Sequence, residues 1–330
     1  MKQRRSAVSR RRSGAVAAGL LAAVLAWPAA AFDLQGHRGA RGLAPENTLA
    51  AFERALAIGV STLELDVGIT ADGVPVIVHD IALNPATTRD PAGRWITASP
   101  LVRSLTLEEL QRFDVGRSDP ASSYARPFAT QAPSDGERIP TLASLFARVE
   151  ELGADPVRFN IETKIDPRRP ADTADPDAFV RAILDAVREA GVLERVTLQS
   201  FDWRTLLAAR RLAPGLATAC LTTQGGNADV RDAAGTWTAG LRLADHGSVP
   251  RLVKAAGCAV WSPNFRHLDR RSVGEAQDLG LQVIPWTVNQ PGDMARLLDW
   301  GVDGLITDFP DRLRELMATR GLALPPRYPR

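Results

Sequence analysis

Short apolar runs alternate with amphipathic stretches along most of the chain. Residues 48–58 repeat their apolar side chains at intervals of three and four, which predicts a helix with Asn47 as its N-cap. Five later stretches share this period, at residues 177–190, 203–212, 250–256, 272–279 and 291–300. Short apolar, β-branched runs predict eight strands, at residues 34–36, 62–67, 157–161, 196–199, 217–221, 259–261, 283–286 and 304–306. Strands that alternate with helical crossovers predict a parallel sheet, here an α/β TIM (β/α)8 barrel.

A ninth apolar run, at residues 74–78, breaks this alternation. Only residues 68–73 separate it from the strand at 62–67, and a parallel crossover needs about a dozen residues. The Asp72-Gly73 pair therefore predicts a hairpin, whose second strand would bring His79 back beside Glu64. Residues 80–155 do not follow the repeat, although residues 106–113 and 141–152 have helical patterns. We expect an insertion over the top of the barrel.

The N-terminus has the pattern of a signal peptide. Residues 1–13 are basic, residues 14–27 form a short apolar stretch, and small residues precede a cleavage site after Ala31. The apolar stretch is short for a membrane span, and the arginines at 10–12 fit a twin-arginine signal as well as a Sec signal. We therefore expect a periplasmic or secreted protein, a barrel domain over residues 32–321, and a loose Pro- and Arg-rich tail at 322–330.

The charge balance and the cysteines refine this picture. Without the six basic residues of the leader, 34 basic and 38 acidic residues remain, so no overall positive charge suggests nucleic-acid binding. Export permits a disulfide. However, Cys220 falls late in one predicted strand and Cys258 at the start of the next, so parallel strands would place them near opposite ends. We expect two buried free thiols.

Several acids and one lysine follow the period of two that is typical of strands. Glu64 and Asp66 share one face of their strand, and Glu162 and Lys164 share one face of the next. If these faces point into the barrel mouth, three buried carboxylates would repel one another unless they were protonated or bound to a cation. Oxygen ligands favour Mg²⁺ or Ca²⁺ over zinc. The competing interpretation is a set of surface charges on edge strands.

Two of the four histidines end predicted strands, where barrel enzymes place their active sites. His37 follows the first strand and His79 follows the hairpin strand. With a divalent cation, Arg38 and Lys164, they form a set suited to phosphoryl chemistry, because positive charge stabilises the anionic transition state. One imidazole can accept a proton from the attacking oxygen while the other protonates the leaving alkoxide. Which histidine does which stays open.

Nine short motifs occur in the order typical of one known family. They are His37-Arg38-Gly39, Pro45-Glu46-Asn47-Thr48, Glu64-Leu65-Asp66-Val67, Asp72-Gly73, His79-Asp80, Ile139-Pro140-Thr141-Leu142, Asn160-Ile161-Glu162-Thr163-Lys164, Gln199-Ser200-Phe201 and Trp286-Thr287-Val288-Asn289. Single motifs are weak, but the ordered set, over residues 34–310, resembles the glycerophosphodiester phosphodiesterase family. The resemblance implies a TIM-barrel hydrolase that cuts glycerophosphodiesters, such as glycerophosphocholine or glycerophosphoethanolamine, into glycerol 3-phosphate and an alcohol.

The resemblance also implies roles for individual residues. His37 and His79 would be the acid–base pair, and one Ca²⁺ or Mg²⁺ ion would be bound by Glu64, Asp66 and Glu162. Phosphate would be held by Arg38 and Lys164. One departure concerns the stretch after His79, where the family has Leu-x-Arg-Thr-Thr and residues 83–88 read LNPATT. The expected arginine is missing, and Arg89 and Arg94 are the candidates to replace it.

Four further residues have less specific signals. Gln199 is placed to reach the phosphate or to bond neighbouring backbone groups, and Trp286 to contact the substrate or to fill the core. Glu46 is placed to support Arg38 or a ligand. Asp308 is interpreted as a turn residue before Phe309 and Pro310 rather than as a ligand.

Two other functions compete with hydrolysis of glycerophosphodiesters. One is a phospholipase D-like enzyme of related fold that releases a cyclic phosphate from lysophospholipid or sphingomyelin. The other is a phosphate-ester binding protein that has lost catalysis, against which the presence of both His37 and His79 argues. The predicted partner is a small molecule, and the sequence leaves the oligomeric state open.

Overall fold

The computed structural model describes residues 31–329 and forms a barrel of eight parallel strands with one added hairpin strand. The strands are β1 (Asp33–Gly36), β2 (Thr62–Ile69), β3 (Pro75–Ile77), β4 (Arg158–Thr163), β5 (Val196–Ser200), β6 (Ala217–Thr222), β7 (Val260–Pro263), β8 (Gln282–Val283) and β9 (Gly304–Thr307). Their order is β8-β7-β6-β5-β4-β2-β1-β9, and β3 pairs with β2 in antiparallel fashion. The predicted barrel and hairpin are therefore confirmed.

Backbone hydrogen bonds close the barrel between its two end strands. Asp303 N donates to Val283 O at 2.9 Å, and Ile306 N donates to Pro285 O at 3.0 Å. Pro285 has no N–H of its own, which helps to explain why β8 is shorter than the run at 283–286 suggested. On its other side β9 pairs with β1 in parallel, so the residues that follow these two strands meet at the barrel mouth.

Ten α-helices within residues 31–329 surround the sheet or belong to its loops. They are α1 (Leu49–Ile58), α2 (Leu107–Leu110), α3 (Leu142–Glu151), α4 (Pro176–Glu189), α5 (Trp203–Leu212), α6 (Leu243–His246), α7 (Val249–Ala256), α8 (Arg270–Asp278), α9 (Pro291–Asp299) and α10 (Pro310–Thr319). The N-cap of α1 is Thr48, whose hydroxyl accepts from Ala51 N, so the prediction of Asn47 as the cap was wrong. The helix begins one residue later than predicted, because the side chain of Asn47 forms a hydrogen bond with Asp66 instead of capping the helix.

The main hydrophobic core lies between the sheet and the helices. On β2, Leu63, Leu65 and Val67 are fully buried in this core, while Glu64 and Asp66 take the alternate positions that face the barrel interior. A second core lies under the insertion and includes Val76, Leu83, Val102, Leu110 and Ile139. The alternation along β2 thus assigns apolar residues to one face and acids to the other.

The insertion predicted at residues 80–155 ends earlier than expected, before α3. Helix α3 buries Leu142, Leu145 and Phe146 in the main core, so it is the crossover between the β2–β3 hairpin and β4. The tail is also better held than expected, because Tyr328 N donates to Leu56 O at 2.9 Å and Arg314 Nη1 donates to Pro325 O at 2.8 Å. Residues 322–329 therefore lie against α1 and α10 rather than loose.

Cys220 and Cys258 form a disulfide, so the expectation of free thiols was wrong. The register pairs Cys220 with Trp261, only three residues after Cys258, and Ala259 N donates to Thr218 O. Their Cα atoms are consequently 5.9 Å apart, within the range for a bridge. The predicted signal peptide lies outside the described residues, apart from Ala31. Among residues 31–329, no helix combines the length and apolar character that a membrane crossing requires.

Candidate active site

Three carboxylates meet inside the mouth of the barrel. Glu64 and Asp66 come from β2 and Glu162 from β4, and the register pairs Asp66 with Glu162. One oxygen of each lies within 4.8 Å of the others, and all three side chains are buried. This excludes the interpretation as surface charges. The grouping is the one that strand periodicity predicted, because inward-facing positions on adjacent parallel strands lie side by side.

The electrostatics of this cluster leave a negative charge without full compensation. Burial raises the pKa of Glu64 well above its usual value, and Asp66 and Glu162 raise it further. Burial also raises the pKa of Glu162, although Lys164 opposes this effect. Asp66 Oδ1 is buried without a hydrogen bond, and Lys164 Nζ lies 3.5 Å from it. Each of the three carboxylates can offer one oxygen to a divalent cation, and Asp66 has an oxygen that no hydrogen bond satisfies. The cluster is therefore compatible with a metal site.

Arg38 and Lys164 supply positive charge next to the cluster. Arg38 Nε lies 3.2 Å from Asp66 Oδ2, and Lys164 Nζ lies 2.7 Å from Glu162 Oε1. Although burial alone would raise the pKa of Asp66, these two cations hold it well below its usual value. Arg38 Nη1 also donates to Glu46 Oε1 at 2.8 Å, which is the supporting role considered for Glu46.

The loop from β1 to α1 has an unusual backbone that places Arg38 and Asn47. Both residues have positive φ angles, 49° for Arg38 and 56° for Asn47, which non-glycine residues rarely adopt. Arg38 N donates to Glu64 Oε2 at 2.9 Å, and Asn47 Nδ2 donates to Asp66 Oδ2 at 2.9 Å. Gly36 permits the turn, because a Cβ there would lie 2.2 Å from Gly39 O. The loop is thus folded around the acidic cluster.

His37 is held by a carboxylate that the sequence interpretation missed. Its Nδ1 lies 2.6 Å from Asp308 Oδ1, and its Nε2 lies 3.9 Å from Glu64 Oε2. Asp308 is fully buried and also accepts two hydrogen bonds from Arg41 and one from Asn289. The interpretation of Asp308 as a turn residue was therefore incomplete, because β9 closes beside β1 and delivers it to His37.

This arrangement determines the protonation of His37. Burial lowers its pKa to about 4, an effect that Asp308 opposes and Arg41 reinforces. Burial would raise the pKa of Asp308, but His37 and Arg41 hold it far below its usual value. The ionised carboxylate accepts from Nδ1–H, so Nε2 of the neutral ring carries the lone pair and is directed to the cluster.

His79 enters the mouth just after β3. Val78 N donates to Asp66 O at 2.9 Å, and continuing the antiparallel register sets His79 opposite Leu65, between Glu64 and Asp66. His79 Nδ1 lies 2.7 Å from Asp80 Oδ1, and its side chain is 31% exposed. Burial alone would raise the pKa of Asp80, but its hydrogen bond with His79 lowers it to about 2. Both imidazoles at the mouth therefore have Nδ1 bound to a carboxylate.

Gln199 and Trp286 lie at different depths. Gln199 is buried below the cluster, where its Nε2 donates to Glu64 Oε1 at 2.7 Å, so it contacts a carboxylate rather than an open phosphate pocket. Trp286 is partly exposed at the mouth, where its Nε1 donates to Ser262 O and its ring packs edge-to-face on Phe201, 5.3 Å between centroids. Trp286 also packs against a small apolar cluster that includes Val260 and Ile284.

Neither arginine proposed to replace the missing family arginine reaches the cluster. Arg89 Nη2 bonds Asp114 and Asp135, and Arg94 bonds Asp90, all within the insertion. The insertion instead contributes Tyr124, whose hydroxyl bonds Glu46 and accepts from Arg38 Nη1 at 3.2 Å.

The barrel, the acidic cluster, the two carboxylate-bound imidazoles and the adjacent cations define a barrel hydrolase site for an anionic substrate. The sequence profile of the glycerophosphoryl diester phosphodiesterase family matches residues 37–312. A glycerophosphodiester phosphodiesterase from Caldanaerobacter subterraneus subsp. tengcongensis is 30% identical over 285 residues, which cover 86% of this chain and 97% of the relative. The chain belongs to the glycerophosphoryl diester phosphodiesterase family.

Solved structures agree with this assignment. A candidate glycerophosphoryl diester phosphodiesterase from Silicibacter pomeroyi DSS-3 has a TM-score of 0.79 and 38% identity, and the match covers 89% of this chain and 95% of that one. A phosphodiesterase from Oleispira antarctica, crystallised with the product sn-glycerol-3-phosphate, has a TM-score of 0.64 over 86% of this chain and 96% of its own. Its identity of 22% supports the fold alone.

Proposed function

We propose that the chain is an exported, cation-dependent enzyme that hydrolyses small glycerophosphodiesters to sn-glycerol 3-phosphate and an alcohol. The observation that carries this proposal is the buried acidic cluster with cations and imidazoles around it, in a chain of this family. The product complex of the Oleispira antarctica phosphodiesterase, which has the same fold, supports glycerol as one half of the substrate. Glycerophosphocholine and glycerophosphoethanolamine are suitable test substrates.

The cation would be Mg²⁺ or Ca²⁺, held by Glu64, Asp66 and Glu162. When bound, it would supply positive charge for the oxygens of the phosphodiester. Arg38 and Lys164 lie against the same carboxylates and add positive charge at the place where the phosphate would bind. Together they would favour the more highly charged transition state over the ground state.

We assign the acid–base roles from the surroundings of the two histidines. His37 is buried and neutral, and its Nε2 lone pair can accept the proton of the attacking hydroxyl. His79 is partly exposed, its Nδ1 is bonded to Asp80, and we assign it the transfer of a proton to the leaving alkoxide. In the overall hydrolysis water supplies the oxygen that bonds to phosphorus, the bond from phosphorus to the leaving oxygen breaks, and the alcohol departs with the proton from His79, which leaves sn-glycerol 3-phosphate.

Product analysis tests the substrate class. The purified protein would be incubated with glycerophosphocholine, glycerophosphoethanolamine, lysophosphatidylcholine and sphingomyelin, and products would be followed by ³¹P NMR. We expect sn-glycerol 3-phosphate from the first two. Cyclic phosphate from a lipid alone would instead establish the phospholipase D-like activity, and no turnover of any substrate would favour a binding protein.

Histidine variants test the mechanism. His37→Ala and His79→Ala should each lower kcat by about 10²–10⁴, which is the range for loss of a general acid or base. His246→Ala is a matched control, because His246 ends the short helix α6, which has no buried residue. Near-normal turnover by either mouth variant would exclude that histidine from proton transfer.

A further inference from the structure

A chain of side-chain hydrogen bonds crosses the barrel interior and ends on Glu64. At the floor, Gln35 Nε2 donates to Asp33 Oδ2 at 2.9 Å. Asn160 Nδ2 donates to Gln35 Oε1 at 2.8 Å and to Gln199 Oε1 at 3.0 Å. Gln199 Nε2 donates to Glu64 Oε1 at 2.7 Å. All five side chains are buried, and they link β1, β4, β5 and β2 at successive depths.

The acid at the floor fixes the direction of every link. An ionised carboxylate only accepts hydrogen bonds, so Asp33 requires the NH₂ group of Gln35 to face it. The oxygen of Gln35 then faces Asn160, which must donate, and Gln199 must accept from Asn160 with its own oxygen. Gln199 therefore presents its NH₂ group to Glu64. Reversal of one amide would place two acceptors or two donors against each other, which is costly in a buried site.

Asn160 has a side-chain oxygen that takes no part in this chain of hydrogen bonds. Its Oδ1 is buried without a hydrogen-bond partner, and Asn160 lines a cavity of about 40 Å³ together with Asp33, Gln35 and Thr197. This volume is enough for an ordered water. A water there would satisfy Asn160 Oδ1 without changing the direction of the chain.

The end of the chain fixes one oxygen of Glu64 while the loop fixes the other. Gln199 holds Oε1, and Arg38 N holds Oε2 at 2.9 Å. Two donors, one on each oxygen, therefore fix the orientation of this carboxylate. A carboxylate that is oriented in advance loses less freedom when it binds a cation.

We propose that Gln199 is a positioning residue for the cation site, and that Asp33 at the barrel floor sets its orientation through Gln35 and Asn160. This inference rests on the proposed cation site. It differs from a role for Gln199 in holding phosphate, because the amide of Gln199 is already shared between Glu64 and Asn160.

Calorimetric titration of the purified protein with CaCl₂ and with MgCl₂, without substrate, tests the proposal. Gln199→Met keeps the length of the side chain but removes the donor, and should weaken cation binding by about 10- to 100-fold. Asp33→Asn should give a smaller loss in the same direction, because asparagine no longer dictates which end of Gln35 faces it. Thr197 lies on β5 with Gln199 and lines the floor cavity. Thr197→Val is therefore the matched control and should bind the cations as tightly as the unmodified protein.

The outcomes separate this inference from the proposed function. Unchanged cation affinity in Gln199→Met would overturn the positioning role, whatever happens to its melting temperature. An unmodified protein that binds neither ion would overturn the cation site itself, and this inference with it. If Gln199→Met does not fold, Gln35→Met interrupts the chain two links earlier and gives the same test.

Discussion

Asp308 offers the sharpest single test of the site, because one carboxylate holds both His37 and Arg41. It is fully buried and accepts four hydrogen bonds, between 2.6 and 3.0 Å long, from His37, Arg41 and Asn289. Asp308→Asn keeps the shape but removes the charge. The amide can then direct its NH₂ group at His37, which favours the tautomer with the proton on Nε2 and removes the lone pair from the reaction centre.

The expected losses follow from these contacts. An imidazole in the wrong tautomer should lower kcat by about 10²–10⁴, the range seen when an orienting aspartate is replaced in serine proteases. Stability should also fall, because Arg41 loses its buried partner, and a broken buried pair costs about 3–5 kcal/mol. The partial hydrogen bonding that asparagine retains places the expected loss of stability at the lower end of that range.

The pH dependence of stability provides an independent check. The pKa of Asp308 is depressed in the folded protein, so its contribution is fully present above the ordinary aspartate pKa of about 3.9 and declines as the pH falls below it. The difference in unfolding free energy between the unmodified protein and Asp308→Asn should therefore be constant near neutral pH and should shrink below about pH 4.

Denaturant unfolding and steady-state kinetics would be measured on Asp308→Asn and on a control at the other end of the strand. Asp303 lies immediately before β9, as Asp308 lies immediately after it, and Asp303→Asn should leave kcat unchanged. The reasoning is refuted if Asp308→Asn folds normally and turns over substrate within about threefold of the unmodified protein, since a tautomer change should cost far more.

Three further predictions concern other parts of the chain. Tyr124→Phe should raise KM several-fold with a smaller effect on kcat in steady-state assays, because Arg38 loses a hydroxyl partner; Tyr328→Phe should change neither. Reduction of the Cys220–Cys258 disulfide should lower the unfolding free energy by about 4 kcal/mol, from the chain entropy of its 38-residue separation, and an unchanged denaturation midpoint would contradict this. N-terminal sequencing of the exported protein should begin near Phe32, and a full-length cytoplasmic protein would contradict the leader.

The strands and their facing residues could be predicted because both depend on local periodicity. Glu64 and Asp66 alternate with leucines, and this pattern alone places them together on one face of β2, which the structure turns inward. The six-residue connection at 68–73 was too short for a crossover, which predicted the hairpin that carries His79. These features depend on neighbours in sequence.

The features that the sequence did not reveal depend on how distant segments pack. Asp308 meets His37 only because β9 pairs with β1, from the other end of the chain, although its position immediately after a strand was a usable signal. The disulfide depends on a register between β6 and β7 that apolar patterns do not specify. Tyr124 comes from an irregular segment with no periodicity, and nothing in its local sequence indicated a contact with Arg38.

The central claim is that the acidic cluster makes hydrolysis of glycerophosphodiesters dependent on a divalent cation. The most direct measurement is the rate of sn-glycerol 3-phosphate release from glycerophosphocholine, before chelation, after removal of metal with EDTA, and after addition of MgCl₂ or CaCl₂. We predict that chelation abolishes release, that one of the two ions restores it, and that Glu162→Gln shows little restoration. Undiminished release by a protein free of metal would contradict the account.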